Sequence, residues 1–357
     1  MDFETFKENL ANDVKEQFYE RYGTEVVVEN HKVDKMNETY DALTVKRLDG
    51  IIGVNLNVDA LYKDYEEGRS YEAIVSGAAE VAGTALENRP DFDIDAFSDY
   101  DRMKSTLAME VVSAERNAEL LETVPHKDIE DMAVVYRFVL GETSQGSGTI
   151  LVTNKMLDNY GITPEQLHED AVKNAPEIRP LVIQGMAEVL AKQMGVEDLE
   201  MLGLNIPPEQ EQMFVASVEG NVHGAGVLAY TDFMEKASER VNNQSFFILP
   251  SSIHELLIIP DNGNFDLKSL ENMVKEVNAT TVDPADQLTD NVYHYDAQNK
   301  VFELGEKFVE RQQAKVEKTA EKKSLLGELK AAKEEASKAP KKNAIDIGSK
   351  SKGETAL

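Results

Sequence analysis

The chain has 357 residues and carries a net charge of −29 at pH 7, with 66 acidic against 37 basic side chains; this balance repels nucleic acid and anionic lipid. It has no cysteine, which excludes disulfides, thiolate metal sites and cysteine nucleophiles and fits a reducing compartment. With no tryptophan and 7% aromatic residues, its core must be mostly aliphatic.

The N-terminal segment MDFETFKENLANDVKEQF is acidic and amphipathic, so no secretory leader is expected. Phe3, Phe6, Leu10, Val14 and Phe18 draw one apolar stripe at helical spacing, and Gly23 stops the helix. TEVVVENHKV (24–33), YDALTVKRL (40–48) and IIGVNLNV (51–58) read as three antiparallel strands. A helix follows, with Asp59 as its expected N-cap, and a second runs over 71–86 until Pro90 ends it.

The pattern then returns. MAVVYRFVL (132–140) and TILVT (149–153) read as strands around a polar turn at 142–148, followed by a helix from NKMLDNY. Thr163-Pro164-Glu165 opens a further helix that carries Leu167, Ala171 and Val172 inward. MFVASVE (213–219) and VLAYT (227–231) read as a third hairpin, with DFMEKASERV (232–241) as its helix. Aligned without gaps, VNLNVDALYKDY (54–65), ILVTNKMLDNYG (150–161) and VLAYTDFMEKAS (227–238) place Asp59, Lys155 and Asp232 near the caps. Leu61, Leu157 and Met234 then correspond on the helices.

Two apolar strands flank ProSerSer in SFFILPSSIHELLIIPD (245–261), a helix runs from Asp266 to Val277, and a last hairpin spans 291–304. The chain from Gly305 is charged, alanine-rich and helix-prone, and after Pro340 it reads as disordered. Residues 314–357 hold 11 Lys against 7 acids, which leaves about −33 on the body. The expected fold is α+β, with antiparallel hairpins each followed by a helix in three pseudo-repeats. Its expected divisions are 1–121, 122–304, a charged helix at 305–340 and a tail at 341–357.

Little in the sequence carries chemistry. There is no GxxxxGK[ST] and no HExxH, and GETSQGSG (141–148) lacks the lysine of a phosphate loop. The six histidines have no ligand spacing, so no metal or other cofactor is expected. His168 stands beside Glu169 and Asp170 on an expected solvated helix face, and AspPheAspIleAsp (91–95) lacks the remaining features of a calcium loop. The most site-like segment is Pro250-Ser251-Ser252-Ile253-His254-Glu255, where Ser252, His254 and Glu255 bring together a nucleophile, a base and a carboxylate. Such neighbours rarely form a triad, because triads gather from separate loops. The glycine-rich turn 220–226, with Asn221 and Gly224, is the second candidate, as a ligand-binding turn.

Five segments carry a family resemblance: ETVPHKDIEDMAVVYRFVL (122–140), AVKNAP (171–176), MFVASVEGNVHGAGVLAY (213–230), FFILPSSIHELLIIPD (246–261) and VYHYDAQNKVFELG (292–305). Together they resemble a bacterial family catalogued only as a domain of unknown function, common in gut Gram-positive anaerobes and often near mobile-element genes. The resemblance spans roughly residues 1–310, and ILPSSIHE is its most specific block. The family usually has Thr-Asn before the GlyAla turn; Glu219-Gly220-Asn221 and the inserted Val222-His223 depart from that. The resemblance implies a bacterial, cytoplasmic setting and an accessory role on a mobile element, and it supplies no reaction.

The expected function is thus a non-enzymatic interaction or accessory factor with a protein partner, without direct nucleic-acid or membrane binding. The alternatives are a hydrolase centred on the 250–255 turn and an acidic nucleic-acid mimic.

Overall fold

Helix α1 (Phe3–Tyr22) starts where Asp2 accepts the Thr5 backbone N–H at 2.9 Å, and it ends on Gly23 in the left-handed conformation. Its stripe of Phe6, Leu10, Val14 and Phe18 is buried, which stabilises the helix by roughly 2 kcal/mol per side chain. The stripe joins one core with β1 (Val26–Lys35), β2 (Glu38–Arg47), β3 (Gly53–Asn57), α2 (Val58–Glu66) and α3 (Tyr71–Glu87). The three strands form an antiparallel sheet in chain order. Helix α2 is capped by Asn57, which accepts the Ala60 N–H at 3.0 Å; Asp59, the expected cap, instead accepts the Asp41 N–H of β2.

The computed structural model describes residues 1–35, 37–48, 50, 53–88, 96–143, 146–195 and 211–338. The acidic run 91–95, the tip of the 142–148 turn and the tail beyond Lys338 lie outside the described residues in whole or in part. The chain divides into two compact units, Met1–Gly305 and Glu306–Leu357.

A second sheet follows within the first unit. Short helix α4 (Tyr100–Met103) leads to β4 (Leu107–Ser113), and α5 (Ala118–Leu121) to β5 (His126–Ile129), β6 (Met132–Thr143) and β7 (Gly146–Leu151). Strand β6 pairs with β4 along one edge and with β5 and then β7 along the other, all antiparallel. The β4–β6 pairing crosses the expected 121/122 division. Every residue of β4 is buried. Helix α6 (Asn154–Tyr160) is capped by Thr153, and α7 (Pro164–Ile178) by Thr163 with Pro164 in its first turn.

The third sheet is built from β8 (Leu181–Gly185), which leads into α8 (Met186–Gln193), then β9 (Phe214–Val218), β10 (Phe246–Leu249), β11 (Leu256–Pro260), β12 (Tyr293–Asp296) and β13 (Val301–Leu304). Its order is β13-β12-β10-β11-β9-β8, with every pair antiparallel. Helix α9 (Phe233–Arg240) lies between β9 and β10, and α10 (Leu267–Thr280) follows Asp266 as N-cap. One core unites this sheet with the second sheet and α7. Helix α11 (Gly305–Lys338) starts at the junction and makes up the described part of the second unit.

The α+β class with antiparallel sheets is as expected, and the first two hairpin–helix units form. The third does not close as a hairpin. Residues Gly224–Ala229 form a 3-10 turn, and β9 finds its partners in β8 and β11 instead. Two glycines explain the difference. A Cβ on Gly226 would run into the Met109 carbonyl of β4, and one on Gly224 into Ser217 and the His254 carbonyl. The turn therefore packs its backbone directly on β4 and β9, where a side chain has no room.

The tip of the β1–β2 hairpin is tied to the rest of the unit. The Asn37 N–H donates to Asn117 Oδ1 at 2.7 Å, and its amide donates to the carbonyls of Ala285 (2.8 Å) and Gln287 (3.0 Å). This clasp fixes the 285–287 segment that carries Asp286.

Candidate functional site

Strand β4 reads LAMEVVS, and in its middle stands Glu110, 1% exposed. A carboxylate there needs partners, because an unpaired buried charge is costly. Two guanidinium groups supply them. Glu110 Oε2 accepts from Arg137 Nε at 2.6 Å, and Oε1 accepts from Arg179 Nη1 at 3.2 Å. Arg137 comes from the adjacent strand β6 and also donates to the Thr149 hydroxyl at 3.3 Å. Arg179 is the residue that ends α7, and its carbonyl accepts from the Tyr230 hydroxyl at 2.8 Å. Burial raises the Tyr230 hydroxyl pKa, which keeps it a donor.

The two candidate turns of the sequence meet beside this triad. The pairing of β9 with β11 brings their ends together. The His223 N–H donates to His254 Nδ1 at 3.2 Å, and the two rings stand 5.5 Å apart. His223 has φ 54°, the left-handed region that a non-glycine residue enters at a cost of about 1–2 kcal/mol. That conformation turns the His223 N–H onto His254 and sets Nδ1 3.9 Å from Glu110 Oε2. Nδ1 is buried and has no hydrogen-bond partner among the described residues. Burial lowers the His223 pKa. The Glu110 carboxylate opposes this shift, while Arg137, Arg179 and His254 reinforce it. His223 is therefore neutral at pH 7.

His254 is locked in place. Because Nδ1 accepts from His223, Nε2 carries the proton and faces Asp286 Oδ2 at 3.3 Å. Its carbonyl accepts from the Ser217 hydroxyl at 2.8 Å, and its N–H donates to Ser252 Oγ at 2.9 Å. Ser252 thus braces the turn by a bond to the His254 backbone and leaves the ring alone. Glu255 adds no hydrogen bond or ion pair to the group among the described residues. Asn221 is exposed, with φ 55°, and its N–H closes the turn on the Val218 carbonyl at 3.1 Å. Gly224 is buried and supplies the close approach described above.

The structure therefore joins His254, Ser252 and Gly224 in one constellation, with Asn221 on its rim and Glu255 outside its bonding. Sequence reading missed Glu110, Arg137, Arg179, His223 and Asp286. A lone carboxylate inside an apolar strand was the available signal for Glu110. Its cationic partners lie 27 and 69 residues away in the chain, and no local pattern links them.

Other polar features lie elsewhere. His168 bonds the Tyr136 hydroxyl at 2.9 Å and Lys127 at 3.1 Å. A recess of about 460 Å³ between α1 and β1 is lined by Lys15, Glu16, Tyr19, Val26 and Leu48, without convergent buried charge. A polar one of about 310 Å³ includes Arg116, Asp131, Gln287 and Asp290. We place the candidate site at the Glu110 constellation because that is where desolvated charges converge. Among the described residues, no three His, Asp or Glu side chains are grouped to hold a metal ion, and no helix is long and apolar enough to cross a membrane.

No curated protein and no solved structure matches the chain. A family model does, over residues 3–297, a stretch that contains all three sheets apart from the last strand and every residue of the constellation. The chain belongs to the family described as "Family of unknown function (DUF5688)".

Proposed function

We propose that this chain is a non-enzymatic binding protein, an accessory factor of a bacterial mobile element that works in the cytoplasm with a protein partner. One observation carries the reading: the groups that a nucleophilic mechanism would use at the 250–255 turn already have structural bonds. Ser252 Oγ accepts from a backbone N–H, His254 Nδ1 accepts from His223, and His254 Nε2 faces Asp286. An activated serine needs its hydroxyl on the imidazole of a free base, and here the two are turned to other partners. The charge partition supports a partner-binding role. Met1–Gly305 carries −33 and Glu306–Leu357 +4, the latter from 13 basic and 9 acidic residues. Two oppositely charged units on one chain favour salt-sensitive association with other proteins.

A fluorophosphonate probe tests the reading against the hydrolase alternative. The expected result is no labelling of the full chain, together with recovery of a stoichiometric complex from native cytoplasm that dissociates at raised ionic strength. Labelling that maps to Ser252 and is lost in Ser252→Ala would replace this reading with the hydrolase one.

A further inference from the structure

The constellation around Glu110 is unbalanced. Two guanidinium groups share one carboxylate, and the charged or titratable groups that act on His223 are Glu110, Arg137, Arg179 and His254. Among the groups in direct contact, two guanidiniums on one carboxylate leave a surplus of one positive charge, with the Asp286 carboxylate on the far side of the His254 ring, inside a unit that carries −33 overall. The surplus is desolvated: the Arg137 side chain is 18% exposed and that of Arg179 10%. Each guanidinium has five N–H donors. Arg137 gives one from Nε to Glu110 and one from Nη1 to Thr149, and Arg179 gives one from Nη1 to Glu110. Among the described residues the others have no partner. His223 Nδ1 is a further buried polar atom without one. No nitrogen of Arg137 or Arg179 is among the buried unpartnered atoms, so their remaining N–H groups reach solvent, where an anion can meet them.

From this geometry we infer that Arg137, Arg179 and His223 form a binding site for a small oxyanion, the carboxylate or phosphate group of a small molecule. Glu110 is the positioning residue. It grips one edge of each guanidinium and so aims the remaining N–H groups, which is the planar, forked arrangement that recognises oxyanions. His223 stands 3.9 Å from Glu110 and is about a quarter exposed on its side chain, so solvent reaches it. An arriving anion would favour the protonated imidazole, which could then donate to Glu110 through Nδ1. His254 holds His223 by its backbone N–H. The inference deepens the binding-protein reading above and rests on it.

The test is NMR of full-length protein with ¹⁵N-labelled imidazoles. It is titrated at constant ionic strength with inorganic phosphate, acetate or chloride. The expected result is a saturable shift of the His223 resonance with phosphate or acetate and none with chloride; which oxyanion saturates identifies the ligand class. Phosphate or acetate binding should also move the His223 titration to higher pH. His223→Asn keeps the backbone N–H and tolerates the left-handed conformation. It should weaken binding about tenfold, as loss of one charge-assisted bond implies. Arg179→Lys should weaken it as well, without unfolding the chain. Absence of a saturable shift, an equal shift with chloride, or undiminished binding in both variants would overturn the inference. Serine labelling by the fluorophosphonate would instead defeat the non-enzymatic reading, whether or not phosphate binds.

Discussion

Replacing Glu110 with Gln isolates what the buried carboxylate does. The side chain keeps its shape, loses its charge and turns an NH₂ towards one of the two guanidinium groups that Glu110 now holds at 2.6 and 3.2 Å. One former acceptor position becomes a donor facing a donor, and two cations lose the anion between them. Breaking a buried ion pair by removing one partner costs about 3–5 kcal/mol. The partial exposure of Arg137 and Arg179 places this case at the lower end, about 3 kcal/mol. In a unit of this size that corresponds to a fall of roughly 5 °C in Tm. Urea unfolding should show a lower midpoint at unchanged slope. The double variant Glu110→Gln/Arg137→Gln should be less destabilised than the sum of its parts, with a coupling of about 1–3 kcal/mol. A single-variant loss within about 0.5 kcal/mol of zero would mean that the network is hydrated and the surplus charge is already compensated, and the electrostatic reasoning would fail.

Three further outcomes follow from the same structure. Gly226→Ala pushes a methyl into the Met109 carbonyl of a fully buried strand and should cost about 2 kcal/mol or more. Gly68→Ala, with open space around its Cβ position, should cost only the left-handed strain, and thermal melts of the two variants compare them. His223 and His168 both have pKa values lowered from 6.5, chiefly by burial. The unfolded chain therefore binds more protons near pH 6, so stability should hold above about pH 6.5 and decline as the pH falls below it. Chemical denaturation at pH 7.5 and 5.5 should show this decline, and His223→Asn should flatten it. Truncation after Gly305 should leave the cooperative transition of the first unit in place, since the cut falls at its boundary; calorimetry that shows a broad, low-enthalpy melt would refute this.

Much of the fold was legible because its signals are local. The stripe of α1, the cap of α7, the helix after Asp266, and the β10–β11 and β12–β13 pairs all lie where spacing and turn residues put them. Strand β4 was not legible. A strand buried on both faces shows no alternation, and LAMEVVS has none. VLAYT has the composition of a strand, yet two glycines let it pack as a 3-10 turn against β4. Asp59 lost the cap to Asn57 because its carboxylate is taken by the neighbouring β2 backbone. The turns at 220–226 and 250–255 were each visible as candidates. Their convergence was not, since it depends on a strand pairing with no sequence signature.

The dispersal of the constellation along the chain orders its assembly. The N-terminal layer draws its core from residues within the first 88 and can form from nearby contacts. Glu110 meets Arg137 soon after, but Arg179, His223, His254 and Asp286 arrive only as synthesis proceeds. The Asn37 clasp has to wait for carbonyls about 250 residues downstream. A nascent chain halted anywhere before residue 288 therefore carries an unfinished charge cluster, and the third sheet is complete only once β12 and β13 have followed it.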